Sequence, residues 1–469
     1  MSYSVSEQGA LAHGFKQRHI TMLSIAGIIG AGLFIGSGHA IATAGPAAIL
    51  AYLMAGALVI LVMRMLGEMA VASPDTGSFS TYADRAIGSW AGFTIGWLYW
   101  WFWVLVIPLE AIAAAAVLNT WFPSVEIWIF AFSITALLTI TNLFSVGKYG
   151  EFEFWFAMLK VIAILAFISL GTVALFGWLP GREVSGLSVL MTQNGGFMPN
   201  GFGAVIGALL TTMFSFIGTE AVTIAAAESK DPARNIAKAT RSVIWRICLF
   251  YLASIFVIIS IVSWNDPLLP TQGSYQRVLE ILNIPHAKFL IDTVVLVAVS
   301  SCLNSSIYIS SRMIFSLSKR GDAPAFISKT TRKGVPAFAV IASTFIGLLI
   351  IALNFFAPSA VFSFLLASTG AIALLVYLVI AICQLRMRYK LEQSKAPIVL
   401  KMWMFPLLTW LVIGFITAAL TTMVILPELR NEVSATALLT LFTISLGLLN
   451  QKRRRAIPQP LWLPRPNSD

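Results

Sequence analysis

The stretch SIAGIIGAGLFIGSG, from Ser24 to Gly38, is apolar enough to cross a membrane yet carries Gly27, Gly30, Gly32, Gly36 and Gly38. Inside a helix each glycine costs about 0.8–1 kcal/mol relative to alanine. At membrane depth, backbone released from helical bonding is tolerated only where it is buried in protein or faces a water-filled cavity. Two readings follow. The glycines form a small-residue face against which another helix packs closely, or the helix is interrupted around a cavity, with bare amides and carbonyls aimed at a small charged solute, as in many secondary transporters. A distant segment favours interruption: Met213 to Gly218 reads MFSFIG where Met22 to Gly27 reads MLSIAG, so Met, Ser and Gly recur at the same spacing.

Of the 469 residues, 58% are hydrophobic and 11% charged, against roughly 45–50% apolar in soluble domains. The composition is that of a polytopic, all-α membrane protein. Apolar runs long enough to span a bilayer lie roughly at 20–40, 46–67, 90–118, 126–146, 153–178, 204–227, 242–263, 286–317, 336–357, 359–384, 403–426 and 434–450, about twelve in all. The two matching motifs fall on spans one and six, which an inverted repeat of five plus five helices brings together.

A formal net charge of +11 raises the question of nucleic acid, and the placement of the charges answers it. Lys16 and Arg18 precede span one. Lys148, then Lys230, Arg234, Lys238 and Arg241, then Lys319, Arg320, Lys329, Arg332 and Lys333 follow even-numbered spans, as do Arg386, Arg388, Lys390, Lys395 and Lys401, and finally Lys452 to Arg455. The intervening loops hold Arg182, Arg277, Lys288 and Arg430. By the positive-inside rule both termini are cytoplasmic and the charge sets topology. The expected organisation is a tail over 1–19, a single membrane domain over 20–451 and a tail over 452–469, with the lipid bilayer and a small solute as partners rather than nucleic acid. Ala42 to Ala44 imitates a signal-peptidase site, but the preceding run is too long and span two follows directly. Cys248, Cys302 and Cys383 fall inside spans, which indicates no disulfide framework. His13, His19, His39 and His286 lack metal spacing. No phosphate-cradling loop or nucleophile elbow is present, so neither an ATP-driven pump nor a hydrolase is indicated, and no cofactor or metal is implied.

Ionisable residues within spans are functional hypotheses. Lys160 lies in the first third of span five; it either exchanges a proton during a transport cycle or stays protonated and pins that span to carbonyls of spans one and eight. Glu110 of span three either faces a cavity, where it attracts an ammonium or relays a proton, or bonds to neighbouring helices and orders packing. Glu220, two residues beyond Gly218, is placed to gate or to coordinate near the carbonyls of span six. Glu153, on nearly the same helical face as Lys160, reads as a cytoplasmic-side salt-bridge partner. Arg64 and Glu68, four apart, read as an intrahelical pair. In SSCLNSSIYISSR of span eight, Ser301, Asn304 or Ser305, and Tyr308 recur at helical spacing and face protein or water. Tyr99, Trp100 and Trp103 are candidate cavity walls, and Trp97, Trp101 and Trp121 suit an interfacial belt.

GIIGAGLF at Gly27 to Phe34, SFIGTE at Ser215 to Glu220 and TGSFSTYADRAIG from Thr76 to Gly88 resemble the amino acid permeases of the amino acid–polyamine–organocation superfamily. IGWLYWWFWVLVIPLEA (Ile95 to Ala111), YGEFEFW (Tyr149 to Trp155), VTIAAAES (Val222 to Ser229) and TGAIALLVYLVIA (Thr369 to Ala381) resemble the branch of bacterial 4-aminobutyrate (GABA) permeases. The matches run through spans one to ten. The resemblance implies a leucine-transporter-like fold, with spans one to five and six to ten as inverted repeats and spans eleven and twelve outside. It also implies a secondary active transporter, not an enzyme, that imports GABA or a related ω-amino acid by proton symport across the bacterial inner membrane. The alternatives are the same machine for an α-amino acid such as proline or an aromatic one, and a non-transporting amino acid receptor, which a large soluble signalling domain would favour. By resemblance, the amides of Ala31 and Gly32 hold the substrate carboxylate at the start of a half-helix, where unpaired N–H groups and the dipole suit an anion. The carbonyl of Ile28 and those around Phe214 and Phe216, beside the break at Gly218, receive the ammonium, and Cys302 belongs to the cavity wall. Lys160 resembles the lysine that proton-coupled members place where relatives bind sodium, and Glu110 and Glu220 complete the candidate set for proton coupling or gating.

Overall fold

In a computed structural model of the chain, the described residues are 17–454 apart from 27–28, 145, 180–189, 191–194, 217, 228, 230, 285, 357, 395–397 and 426. The elements among them are helices. Span one is Gln17–Ala26, then a π-helical turn Gly32–Gly36 that continues into Ser37–Ala44. Spans two to five are Ala48–Ala72, Ser89–Trp121, Ile127–Asn142 and Val146–Leu175. Span six is Gly201–Phe216 and Ala221–Ala227, and span seven runs Pro232–Ile261 through a second π-helical turn, Ile247–Leu252. Spans eight to twelve are Ala287–Lys319, Ala337–Phe356, Pro358–Gln393, Leu407–Ile425 and Pro427–Arg454. Short helices, Ser78–Ala86 and Ser274–Ile281, lie between spans two and three and between seven and eight.

Each apolar run of the sequence thus falls on helix, with some ends displaced for local reasons. Span seven begins ten residues before the apolar run because Asp231 caps it, its side chain accepting from the Arg234 amide, and a proline occupies its first turn, the position where the missing N–H costs nothing. Span two runs on to Ala72 because its two charged residues have partners outside it. Arg64 Nε donates to the Lys401 carbonyl at 2.8 Å. Buried Glu68 pairs with Arg388 at 2.9 Å and accepts from Gln384 at 3.1 Å and from the Met402 amide. The expected intrahelical pair is therefore replaced by a clamp joining spans two and ten to the segment before span eleven.

Span three is the hub. Its 33 residues extend about 50 Å at 1.5 Å per residue, and it packs against spans four, eight, nine, ten and twelve. Burial grades outward from it: 78% of its most apolar window is buried, against 28% for span eleven and 22% for span twelve. The outer spans turn large apolar side chains outward, among them Trp155, Trp410, Leu438 and Phe442, as a surface solvated by lipid requires. At the centre the halves of spans one and six pair crosswise. Gln17–Ala26 packs with Ala221–Ala227, and Ser37–Ala44 packs with Gly201–Phe216. That crossing places both interruptions side by side against span three.

Candidate functional site

The break in span one is held open by two charged residues of other spans. Ile29 and Gly30 are not helical. The Ile29 carbonyl accepts from Lys160 Nζ at 3.1 Å, and the Ala31 amide donates to both carboxylate oxygens of Glu110, at 3.2 and 3.1 Å. Carbonyl therefore meets ammonium on one side and amide meets carboxylate on the other. Both charged side chains are buried, Lys160 at 0% and Glu110 at 1% exposure, which is sustainable only with such partners.

The glycines of this segment do different work. A Cβ at Gly30 would lie 2.6 Å from Cys302 Cβ and 2.7 Å from Glu110 Oε1, and one at Gly32 would lie 2.8 Å from the Cα of Ser215. Gly32 therefore permits the close approach of spans one and six and also faces the space between them. Ser215 Oγ completes the contact by donating to the Gly32 carbonyl at 2.7 Å.

The break in span six is closed from within. Gly218 adopts φ +97°, a left-handed conformation that glycine takes without steric cost. Its amide donates to Glu220 Oε1 at 2.9 Å. Tyr99 and Tyr377 donate to the same carboxylate at 2.9 and 3.2 Å, and buried Arg246 donates to Thr219 Oγ1. The Ser215 carbonyl accepts from Tyr251 at 2.8 Å.

Between the two breaks lies a small cavity lined by Gly32, Phe102, Trp103, Val106, Glu110, Phe214, Ser215 and Cys302. Of the residues named from the sequence, Gly32, Phe214, Cys302 and Glu110 line it. The Ala31 amide lies at its edge, held by Glu110. The Phe216 carbonyl accepts from Thr219 Oγ1 at 2.6 Å, while its ring lies tilted against Tyr251 with centroids 4.5 Å apart, and Gly218 stands at the span-six break. Lys160 reaches the site through Ile29, and Ile28 lies outside the described residues. Trp103 is a wall, whereas Tyr99 serves Glu220 and Trp100 donates to Ser343 at 2.9 Å. Sequence reasoning did not name Phe102, Val106 or Ser215. The first two stand eight and four residues before Glu110, one helical face, so the stripe was readable once Glu110 was placed. Glu153, expected as a cytoplasmic-side salt-bridge partner, is instead fully buried and accepts from Ser301 and Asn304 of span eight rather than from a cation.

A cavity between two interrupted helices of a polytopic membrane protein, with buried charges at the breaks, is the construction of a secondary transporter. The family model described as amino acid permease matches residues 19–454, and the chain belongs to that family, with its leucine-transporter-like arrangement of spans. It is 72% identical over 445 residues to a probable GABA permease of Pseudomonas aeruginosa, covering 95% of this chain and 94% of that protein. It is 61% identical over 436 residues to the gamma-aminobutyric acid permease of Escherichia coli K12, covering 93% of each. Among solved structures, a manganese transporter mutant of Eremococcus coleocola aligns over 97% of this chain and 100% of its own with a TM-score of 0.59. At 14% identity that likeness is one of fold alone.

Proposed function

We propose that this amino acid permease imports GABA, or a closely related ω-amino acid, by proton symport across the bacterial inner membrane, with both termini and the tails over 1–19 and 452–469 on the cytoplasmic side of one membrane domain. The high identity to two proteins named as GABA permeases over nearly their whole length supports the substrate. The alternation of basic loops supports the orientation.

One observation carries the coupling. The Ala31 amide, the group expected to receive a substrate carboxylate, is occupied by the carboxylate of Glu110. Two ionised carboxylates do not share one buried amide cradle, because like charges at such distance disfavour one another. An arriving amino acid therefore displaces Glu110, which takes up a proton to remain in the dry cavity. Binding of substrate and binding of a proton become one linked event. Lys160 supplies a second titratable group at the neighbouring carbonyl. The aromatic walls Phe102, Trp103 and Phe214 suit the methylenes and the far ammonium of an ω-amino acid through ring-face attraction.

The test is uptake of labelled GABA into proteoliposomes holding the purified full chain. Accumulation is expected to follow an inward-directed proton gradient, to persist without sodium and to collapse with a protonophore. In a competition panel, straight-chain ω-amino acids are expected to outcompete α-amino acids of similar size. Proline or phenylalanine outcompeting GABA would move the assignment to an α-amino acid permease, and sodium-dependent uptake would sink the proton coupling.

A further inference from the structure

Lys160 does not meet a carboxylate directly. Its Nζ donates to Ser301 Oγ at 2.9 Å, and the Ser301 hydroxyl donates onward to Glu153 Oε2 at 2.7 Å. The bond directions run in one line from nitrogen through hydroxyl to carboxylate, and all three side chains are 0% exposed. The second oxygen of Glu153 accepts from Asn304 Nδ2 at 3.0 Å, and Asn304 Oδ1 is itself fixed by Asn142 at 2.7 Å and Thr141 at 3.0 Å from span four. Seven residues separate Glu153 from Lys160, about 10 Å along the helix. That displacement carries Glu153 away from the substrate cavity toward a second one, lined by Tyr149, Ser305, Tyr308, Leu23, Ala221 and Val222 among others. Tyr149 bonds to Ser305 at 3.2 Å and stacks on Tyr308, over which the Arg312 guanidinium lies at 4.0 Å. The charged and titratable groups around Glu153 and Lys160 include Tyr149 on their own helix, Cys302, Tyr308 and Arg312 on span eight, and Glu110 on span three. Span one contributes the Ile29 carbonyl and span four contributes neutral amide and hydroxyl groups.

We propose that Ser301 and Glu153 form a proton relay for Lys160, the second titratable group at the break beside Glu110, carrying a proton from the break in span one toward the second cavity. An N–H bond of Lys160 breaks as its proton passes to Ser301 Oγ, and the Ser301 hydroxyl proton passes to Glu153 Oε2. Ammonium and carboxylate become amine and carboxylic acid, the hydroxyl is regenerated, and the net charge of the cluster stays at zero. No unpaired charge is created in dry protein, which is what makes the step feasible there. The step also replaces a charge-assisted bond at the Ile29 carbonyl by a weaker neutral one, so the state of the relay reaches the helix break.

The relay rests on the proposed proton symport, and the experiment separates the two. Full-length wild type, Glu153→Gln and Ser301→Ala are reconstituted and given labelled GABA in two assays: accumulation driven by a proton gradient, and counterflow at equal pH on both sides. Gln keeps the shape of Glu153 without taking a proton, and Ala removes the bridging hydroxyl. Both variants are expected to keep counterflow within about twofold of wild type while gradient-driven accumulation falls about tenfold or more. Ser301→Ala carries the test alone if Glu153→Gln does not reconstitute. Accumulation at the wild-type level in the variants overturns the relay, and so does an equal loss of counterflow, which would mark a structural role. Wild type that ignores the proton gradient overturns the symport itself, and the relay with it.

Discussion

A methyl group added at Gly30 would lie 2.6 Å from Cys302 Cβ and 2.7 Å from Glu110 Oε1, whereas one added at Gly36 meets nothing nearer than 3.7 Å. Overpacking of a tight interior typically costs about 1–3 kcal/mol. Gly30→Ala is therefore expected to lose most transport and to melt earlier in detergent, and Gly36→Ala is expected to retain both activity and melting temperature. Uptake and thermal unfolding of the two purified variants, side by side, check this; equal behaviour would mean that Gly30 is not held by its neighbours. The cluster of glycines marked an interruption in the sequence, but nothing in the spacing ranked one glycine above another. The ranking comes from Cys302 and Glu110, residues of other spans.

At the scale of elements, the two broken helices are stabilised in different ways, and this decided which was easier to read. In span six the cap is local: Glu220 accepts from Gly218, two residues away, so the SFIGTE motif contains both the break and the group that closes it. In span one the partners stand 79 and 131 residues distant, Glu110 at Ala31 and Lys160 at Ile29. A buried charge inside a span announced that each has some role, while its target stayed invisible. Lys160→Ala removes the ammonium shared by Ile29 and Ser301. Concentrative uptake is expected to be lost, with some substrate binding or exchange retained, because the cavity lined by spans one, three and six remains. Binding of labelled substrate to the purified variant, beside its uptake, checks the split, and undiminished accumulation would reduce Lys160 to a pin between helices.

For the molecule as a whole, the clamp around Glu68 shows how far apart in sequence the deciding contacts lie. Arg388 is 320 residues from Glu68, and breaking a buried ion pair by removing one partner costs about 3–5 kcal/mol. Glu68→Ala is expected near the low end, since Glu392 still pairs with Arg388 at 2.7 Å. Arg64→Ala, which loses a bond at the exposed edge, is expected to cost about 1 kcal/mol or less. Denaturation midpoints of the two variants check the order, and a reversal would restore the intrahelical pair. Sequence by itself determined the positions of the membrane spans, the two interruptions and the charged residues that do not belong in lipid. These follow from hydropathy, the helical cost of glycine and the desolvation of charge, all properties of a residue and its near neighbours. Tertiary structure alone decided that Glu110 sits on the Ala31 amide, that Glu153 bonds through Ser301 to Lys160, and that the Phe216 ring lies against Tyr251 while Phe214 lines the cavity. Those outcomes depend on distances of a few ångströms between helices joined by long stretches of chain, and spacing along one helix carries no information about which residue of another will stand opposite.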